Sequence, residues 1–105
     1  MSPDLRDLVV LNRVIHEPAR MMILSILSAV DQTDFLFLLR ETGLTRGNLS
    51  THLARLEEAG YIRIEKTFRG KLPQTLCSIT PQGTADFDEY RKKMHELLNK
   101  MAEDM

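Results

Sequence analysis

The period of the hydrophobic residues changes at Gly60, and this change constrains the fold more than any other feature of the sequence. Before it, the leucines of "GNLSTHLARLEE" recur at the spacing of one face of an α-helix. After it, "YIRIEKTF" alternates, which places Ile62 and Ile64 on one face of a strand. The run "TLCSIT" alternates again beyond the turn-forming "RGKLPQ". The sequence therefore predicts a helix followed by a β-hairpin with a basic tip, at about residues 61–80.

Capping residues and prolines predict helices on both sides of the hairpin. Pro18 is expected to begin a helix whose apolar residues follow the helical template, and Gly43 to end a short helix further along. Thr45 and Thr80 are typical N-caps, and a proline follows Thr80. A very short strand is predicted around Thr33.

The N-terminal segment is predicted to form a further helix. Ser2 followed by Pro3 is the pattern of an N-cap and a first helical turn. An apolar face follows, consisting of Leu5, Leu8, Val9 and Leu11. The predicted fold class is therefore mainly α with a small β-hairpin (α+β), in a single domain that spans residues 1–105.

Composition excludes several classes of protein. No apolar run approaches the roughly 20 residues that cross a bilayer, so no membrane association is expected. The beginning "MSPDLRDL" lacks a basic region followed by an apolar stretch, so no secretory signal is expected either. The only cysteine is Cys77, which fits a reducing compartment. The expected location is cytoplasmic.

The distribution of charge is more informative than its total. The formal net charge is −1, which does not indicate a nucleic-acid-binding protein. Residues 45–75 nevertheless carry six basic and three acidic side chains, a charge of +3. The remainder has eight basic and twelve acidic side chains, a charge of −4. This contrast favours an anionic partner for the centre of the chain.

The helix before Gly60 has a second face that a small core does not require. On a helical wheel the side opposite the leucines carries Gly47, Asn48, Thr51, Ala54, Arg55 and Glu58. An amide, a hydroxyl and a guanidinium can hydrogen-bond base edges and phosphates. The preceding helix and the tight "GLT" turn complete a helix-turn-helix at about residues 33–59. A solvated helix surface is the alternative interpretation of this face.

Longer stretches carry a family resemblance. The segments "IHEPARMMIL", "GNLSTHLARLEEAGYI" and "ITPQGTADFDEY" resemble the winged helix-turn-helix transcriptional regulators of the MarR and ArsR type, over roughly Val14 to Tyr90. The resemblance implies a recognition helix at Thr45 to Ala59 and a wing at Lys66 to Pro73. It also implies sequence-specific binding to double-stranded DNA and leaves open a small-molecule effector. The DNA-facing residues that it implies are Arg46, Asn48, Ser50, Thr51, His52, Arg55, Arg69 and Lys71.

Two positions depart from this family pattern. Many relatives have a basic residue just after the motif glycine of the last helix, where this sequence has Thr84. The wing is short, and it contains Leu72 at a position where a polar residue would be ordinary. These departures affect the expected DNA affinity more than the expected fold.

The last helix, at about residues 81–103, carries an apolar stripe. Its members alternate between spacings of three and four, as in a heptad seam. The favoured interpretation is a homodimer interface formed with the N-terminal apolar face. The residues expected in that interface are Leu5, Leu8, Phe87, Tyr90, Met94, Leu97 and Met101. The alternative is that the stripe folds back on the first helix of the same chain.

Other candidate sites are weak. The three histidines form no metal-binding pair, and the third helix lacks the cysteine pair of metal-sensing ArsR relatives. Cys77 is interpreted as a small buried hydrophobic residue. No nucleophile–base pair, glycine-rich phosphate loop or carboxylate dyad is present, so no enzyme, metal or cofactor is expected. The predicted function is a dimeric DNA-binding regulator of transcription, and a winged-helix protein-interaction module is the alternative.

Overall fold

The computed structural model describes residues 4–103 and contains five helices and three strands in that range. A 3₁₀ helix at Leu5–Val10 precedes the other elements. The α-helices are α1 (Pro18–Ser28), α2 (Phe35–Thr42), α3 (Arg46–Glu58) and α4 (Pro81–Glu103). The strands are β1 (Thr33–Asp34), β2 (Ile62–Arg69) and β3 (Leu72–Ile79). The predicted fold class, mainly α with a small β-sheet, is confirmed.

The helices begin and end where the sequence predicts. Thr45 Oγ1 accepts a hydrogen bond of 3.1 Å from the Asn48 backbone N–H and so caps α3. Thr80 Oγ1 accepts from the Gly83 backbone N–H at 3.0 Å at the start of α4. Gly43 ends α2 in the left-handed conformation, with φ of 69°. Local signals therefore define the turn between α2 and α3 and the beginning of α4.

The N-terminal segment differs from its prediction. The predicted cap at Ser2 and Pro3 lies outside the described residues, and Asp4 caps a 3₁₀ helix by accepting from the Arg6 backbone N–H. The helix stops before Asn12, whose Oδ1 accepts from the Val14 N–H at 3.1 Å. Asn12 Nδ2 also donates to the Tyr61 hydroxyl at 2.7 Å. The side chain of Asn12 thus competes with continued helix and attaches this segment to the start of the wing.

The sheet places the wing next to the helix-turn-helix. Its strand order is β1-β3-β2, and both pairings are antiparallel. Ile64 lies opposite Cys77, which also faces Thr33 of β1. The predicted short strand at Thr33 therefore exists and connects the beginning of α2 to the hairpin. Gly70, with φ of 65°, turns the chain at the hairpin tip.

One core joins the α-helices and the hairpin. The leucine face of α3 is buried, and α4 reaches the same core through Phe87, Tyr90 and Leu97. The remaining buried members are Leu11, Ile15, Ile23, Leu24, Leu27, Leu38, Tyr61, Ile62 and Cys77. Because α3 contributes only one of its faces to this core, its other face remains at the surface.

Gly83 allows α4 to begin against the wing. A β-carbon at this position would overlap the carbonyl oxygen of Tyr61 and lie 2.9 Å from Ile79 Cγ1. The Tyr61 carbonyl is held in place because it accepts from the Thr80 backbone N–H at 2.9 Å. A larger residue would therefore have to displace backbone rather than a flexible side chain.

We expect Gly83→Ala to lower the free energy of unfolding by about 1–3 kcal/mol, the usual cost of overpacking. Gly47→Ala is the matched control, because nothing lies within 4 Å of a β-carbon there. Alanine at that helical position should change stability by at most about 1 kcal/mol, in the stabilising direction. Urea unfolding followed by circular dichroism measures both. Equal stability of Gly83→Ala and the unsubstituted protein would contradict this packing.

Candidate nucleic-acid interface

Helix α3 presents a polar face to solvent. Leu49, Leu53 and Leu56 are between 0% and 2% exposed and anchor the helix in the core. Five of the residues expected to face DNA are exposed on the same helix: Arg46, Asn48, Ser50, Thr51 and Arg55. The fixed leucine face therefore determines which side chains the helix offers to a partner.

The wing approaches the N-terminal end of α3. Arg46 of α3 and Arg69 of β2 line the same surface groove, which has a volume of about 340 Å³. Asp34, Phe35, Leu36, Leu72, Pro73, Gln74 and Thr75 complete its walls. Lys71 is exposed at the hairpin tip. The structure thus brings basic groups from two separate elements to one surface, as the basic segment of the sequence predicts.

Most of these polar groups are uncommitted. Of the eight residues expected to face DNA, six have side chains that make no hydrogen bond and no ion pair with any part of residues 4–103: Arg46, Asn48, Ser50, Arg55, Arg69 and Lys71. Thr51 is different, because its Oγ1 donates to the Gly47 carbonyl at 3.0 Å. The Thr51 hydroxyl proton is therefore used within the helix, although the oxygen can still accept.

His52 is less accessible than the other residues expected to face DNA. Its side chain is 21% exposed, and its Nδ1 points towards α1. Nδ1 lies 3.1 Å from Arg20 Nη1 and 3.4 Å from Glu17 Oε2. The sequence did not indicate these partners, since Arg20 and His52 are 32 residues apart and no local pattern links them.

Glu17 has two functions at the beginning of α1. Its carboxylate accepts hydrogen bonds of 3.0 Å from the backbone N–H groups of Ala19 and Arg20. Partial burial acts to raise the pKa of Glu17, but these two hydrogen bonds, the charge of Arg20 and the charge that His52 carries when protonated lower it overall. Glu17 is therefore a carboxylate at neutral pH and only accepts hydrogen bonds.

Exposed apolar side chains lie in and near the groove. Leu72 of the wing and Leu36 of α2 line it and are 71% and 60% exposed. Phe68 of the wing is 69% exposed and lies outside the lining. Leu72 thus projects from the hairpin next to Arg69, its partner in the β-ladder. The candidate interface combines free cations with an apolar border.

The residues expected at a dimer interface fall into two groups. Phe87 and Tyr90 are 4% exposed and Leu97 is 0% exposed within this single chain, so these three side chains belong to its own core. These three side chains therefore pack within their own chain, the alternative to a dimer interface, because a buried side chain has no surface to offer a partner. Leu5 and Met101 are 36% and 39% exposed. Leu8 and Met94 are half-buried.

The structure adds apolar residues that the heptad pattern did not include. Val10 is 75% exposed, Val9 69% and Leu98 50%. The heptad spacing selected Leu97 instead of its neighbour Leu98, because Leu97 follows the stripe that packs on the chain itself. A Lys93–Asp7 ion pair of 2.8 Å connects α4 to the 3₁₀ helix next to these residues.

Other chemistry finds no support in the part of the chain that the structure describes. No group of three or more His, Cys, Asp or Glu side chains there could hold a metal ion. None of the helices in residues 4–103 combines the length and the apolar character needed to cross a membrane.

The comparison with protein families decides the identity of the fold. A sequence model described as a winged helix DNA-binding domain matches residues 19–98, which contain all of α1 except Pro18, every element from β1 to β3 and most of α4. The chain belongs to this winged helix DNA-binding family. The resemblance on which the sequence interpretation depended is therefore confirmed.

Similar proteins agree with this membership. An uncharacterised protein of Methanocaldococcus jannaschii is 31% identical over 78 residues, which cover 74% of this chain and 85% of that protein. A transcriptional regulator homologue from Pyrococcus horikoshii OT3 has a similar structure, with a TM-score of 0.84 and 21% identity over 92% of this chain and 96% of that one. A MarR family regulator from Silicibacter pomeroyi gives 0.65 and 26% identity, over 92% of this chain and 63% of that one.

The family is one of DNA-binding domains, and both solved structures are of proteins described as transcriptional regulators or their homologues.

Cys77 is a structural residue of this winged helix. Its side chain is 1% exposed, and burial, together with the negative charges of Glu57 and Asp34, raises the pKa of its thiol to about 11. Since the thiolate is the reactive form, the folded protein should resist thiol reagents.

We therefore expect an aromatic disulfide reagent at pH 8 to leave the folded protein unmodified and to modify one thiol per chain in guanidinium chloride. The absorbance of the released thiolate measures both reactions. A thiol that reacts equally fast in folded and unfolded protein would show that Cys77 is accessible.

Proposed function

We propose that this winged helix binds double-stranded DNA sequence-specifically, with α3 in the major groove and the wing on the backbone or minor groove. The observation that carries the proposal is the set of uncommitted polar side chains on the outer face of α3. A helix fits the width of the major groove, and its exposed amide and guanidinium groups can reach base edges there. Arg69 of the wing lines a groove together with Arg46 of α3, and Lys71 is exposed at the hairpin tip.

The residues divide by chemistry into two roles. Asn48 lies in the first turn of α3 and Arg55 in its last turn, and both are exposed. We assign them to base edges, where an amide pairs with adenine and a guanidinium with guanine. Arg69 and Lys71 of the wing are assigned to phosphates. Arg46, Ser50 and Thr51 lie towards the N-terminal half of α3, whose N–H groups favour phosphate.

A protein-interaction module is the second candidate, and the exposed apolar residues Leu36, Phe68 and Leu72 favour it. Dependence on salt separates the two functions. DNA binding releases counterions, so the logarithm of affinity falls steeply with the logarithm of salt concentration. An interaction module would bind random duplex DNA weakly and with almost no dependence on salt.

We expect Asn48→Ala and Arg55→Ala to cost about 1–3 kcal/mol on the preferred site and less on random DNA. Arg69→Ala and Lys71→Ala should instead weaken both DNAs equally and reduce the salt slope by about one each. Fluorescence anisotropy titrations at several salt concentrations measure these quantities. Arg91→Ala removes an exposed cation of α4 that lines neither groove, so it is the matched control and should change neither quantity. Unchanged site preference in both α3 variants would refute the assignment of the recognition helix.

We further propose that the protein acts as a homodimer. A single domain with few free cations makes few phosphate contacts and should bind DNA weakly. The exposed apolar residues Val10, Leu98 and Met101, with Leu5, offer a surface for a second copy of the chain. A two-fold axis would place the two recognition helices in successive major grooves, with half-sites roughly 34 Å apart in an inverted repeat.

Two neighbouring leucines of α4 distinguish the proposed dimer interface from the core, because Leu98 is exposed and Leu97 is buried. Leu98→Glu combined with Met101→Glu should leave the fold intact but produce a monomer with much weaker DNA binding, because both side chains are exposed. Leu97→Glu should instead lower stability by about 3–5 kcal/mol, since it buries an unpaired charge. Sedimentation measures the mass, and circular dichroism measures the fold. A doubly substituted protein that still sediments as a dimer would place the interface elsewhere.

The candidate site for a small-molecule effector lies beside the proposed dimer interface. A groove of about 670 Å³ lies between the 3₁₀ helix and α4, which is a usual size for a small-molecule site. Its lining includes Leu11 and Tyr90 together with four carboxylates and two lysines, so it favours a cationic or zwitterionic ligand. Occupation of this groove would act directly on the proposed dimer interface.

A further inference from the structure

Side chains of α1 and α3 meet behind the candidate DNA-binding face. Arg20 Nη1 lies 3.1 Å from His52 Nδ1, and Glu17 Oε2 lies 3.4 Å from the same nitrogen. Arg20 and Glu17 are themselves 3.8 Å apart. A residue of the recognition helix is therefore attached to the beginning of α1 through one of its ring nitrogens.

Arg20 is held in a fixed orientation. Its Nε donates to the carbonyl of Val14, and its Nη2 donates to the carbonyl of Arg13 at 3.4 Å. Its side chain is only 12% exposed. Because these bonds use the other edges of the guanidinium, Nη1 remains directed at the imidazole.

The two contacts of Nδ1 make opposite demands on the proton of the imidazole. A guanidinium has donors only, so the hydrogen bond with Arg20 requires Nδ1 to accept, whereas a pair with Glu17 requires a proton on Nδ1. A neutral imidazole has one N–H, and an accepting Nδ1 leaves that proton on Nε2. The shorter contact, with Arg20, therefore favours the Nε2–H tautomer.

The second ring nitrogen faces outward. Within residues 4–103, His52 Nε2 has no hydrogen-bond partner. Every buried side-chain nitrogen or oxygen in that range does have a partner, so Nε2 is not one of the buried atoms. Nε2 must therefore be accessible to solvent. His52 follows Asn48 by four residues and precedes Arg55 by three, so it lies on the same side of α3 as both.

We propose that Arg20 is a positioning residue for DNA binding, which fixes His52 as an Nε2–H donor to a DNA phosphate. The inference rests on the proposed function of α3, and it adds a residue that does not itself contact DNA. Glu17 opposes this effect, because a carboxylate at Nδ1 favours a proton on that nitrogen. If Arg20 were absent, Glu17 would draw the proton to Nδ1, and a lone pair on Nε2 would face the phosphate.

The tautomer can be measured in the free protein. Long-range ¹H–¹⁵N spectra of histidine-labelled protein at pH 8.5, above the usual range of histidine pKa values, distinguish a protonated from an unprotonated ring nitrogen. The signals of His52 are assigned by their loss in His52→Gln. We expect a protonated Nε2 in the unsubstituted protein and in Arg20→Lys, which keeps a cation that only donates. Arg20→Met should move the proton to Nδ1.

The consequence for DNA binding can be measured with matched variants. Glutamine places an N–H near the position of Nε2, whereas asparagine reaches only the depth of Nδ1. His52→Gln should therefore keep most of the DNA affinity, and His52→Asn should lose about tenfold, the usual value of a hydrogen bond to a charged group. Arg20→Met should also lose about tenfold in the unsubstituted background but less than twofold in the His52→Gln background.

Circular dichroism and thermal unfolding confirm that each variant is folded. A protonated Nδ1 in the unsubstituted protein would overturn the proposal. So would an equal loss of affinity from Arg20→Met in both backgrounds, since that result would indicate a purely structural role. Absence of any duplex binding by the unsubstituted protein would refute the proposed function instead, and the spectrum of the free protein would still decide the tautomer.

Discussion

The burial of one leucine face of α3 is the constraint on which the rest of the molecule depends. Leu49 and Leu56 are fully buried and Leu53 is nearly so. Because side chains three and four residues apart share a helix face, fixing this one also fixes the opposite face in solvent. The hydrophobic core thereby sets the orientation of the groups that we assign to DNA, and rotation of α3 would expose its leucines.

The wing and α4 are held by contacts that leave little freedom around this helix. Tyr61 is not among the residues assigned to DNA, but it connects three parts of the fold. Its carbonyl lies against Gly83 at the beginning of α4, and its hydroxyl accepts a hydrogen bond from Asn12. Burial raises the pKa of the Tyr61 hydroxyl, while the hydrogen bond from Asn12 acts in the opposite direction. The N-terminal segment, the hairpin and the last helix therefore meet at one residue. These contacts hold the wing beside α3. Arg69 of the wing and Arg46 of α3 therefore lie on the same surface.

Local patterns predicted the fold well, whereas contacts between distant residues were not predictable. The caps at Thr45 and Thr80 and the hairpin follow from signals within a few residues of sequence, and the structure contains all three. The heptad stripe of α4 correctly indicated burial for Phe87, Tyr90 and Leu97, but it did not indicate which molecule buries them. Met101, in the same stripe, is 39% exposed. Periodicity identifies the face of a helix that avoids water, and Leu97 satisfies that requirement within its own chain. The link from Arg20 to His52 joins two helices and has no local signature.

Selection of bound sequences from random duplex DNA tests the central claim most directly. The account predicts enrichment of an inverted repeat whose half-sites are centred about 10 base pairs apart, the spacing of two recognition helices on one face of the duplex. It also predicts that the Asn48→Ala protein enriches a less defined half-site. Sequences that remain random after repeated rounds, from a folded protein that binds no duplex at low salt, would contradict the assignment of α3 and the wing to DNA.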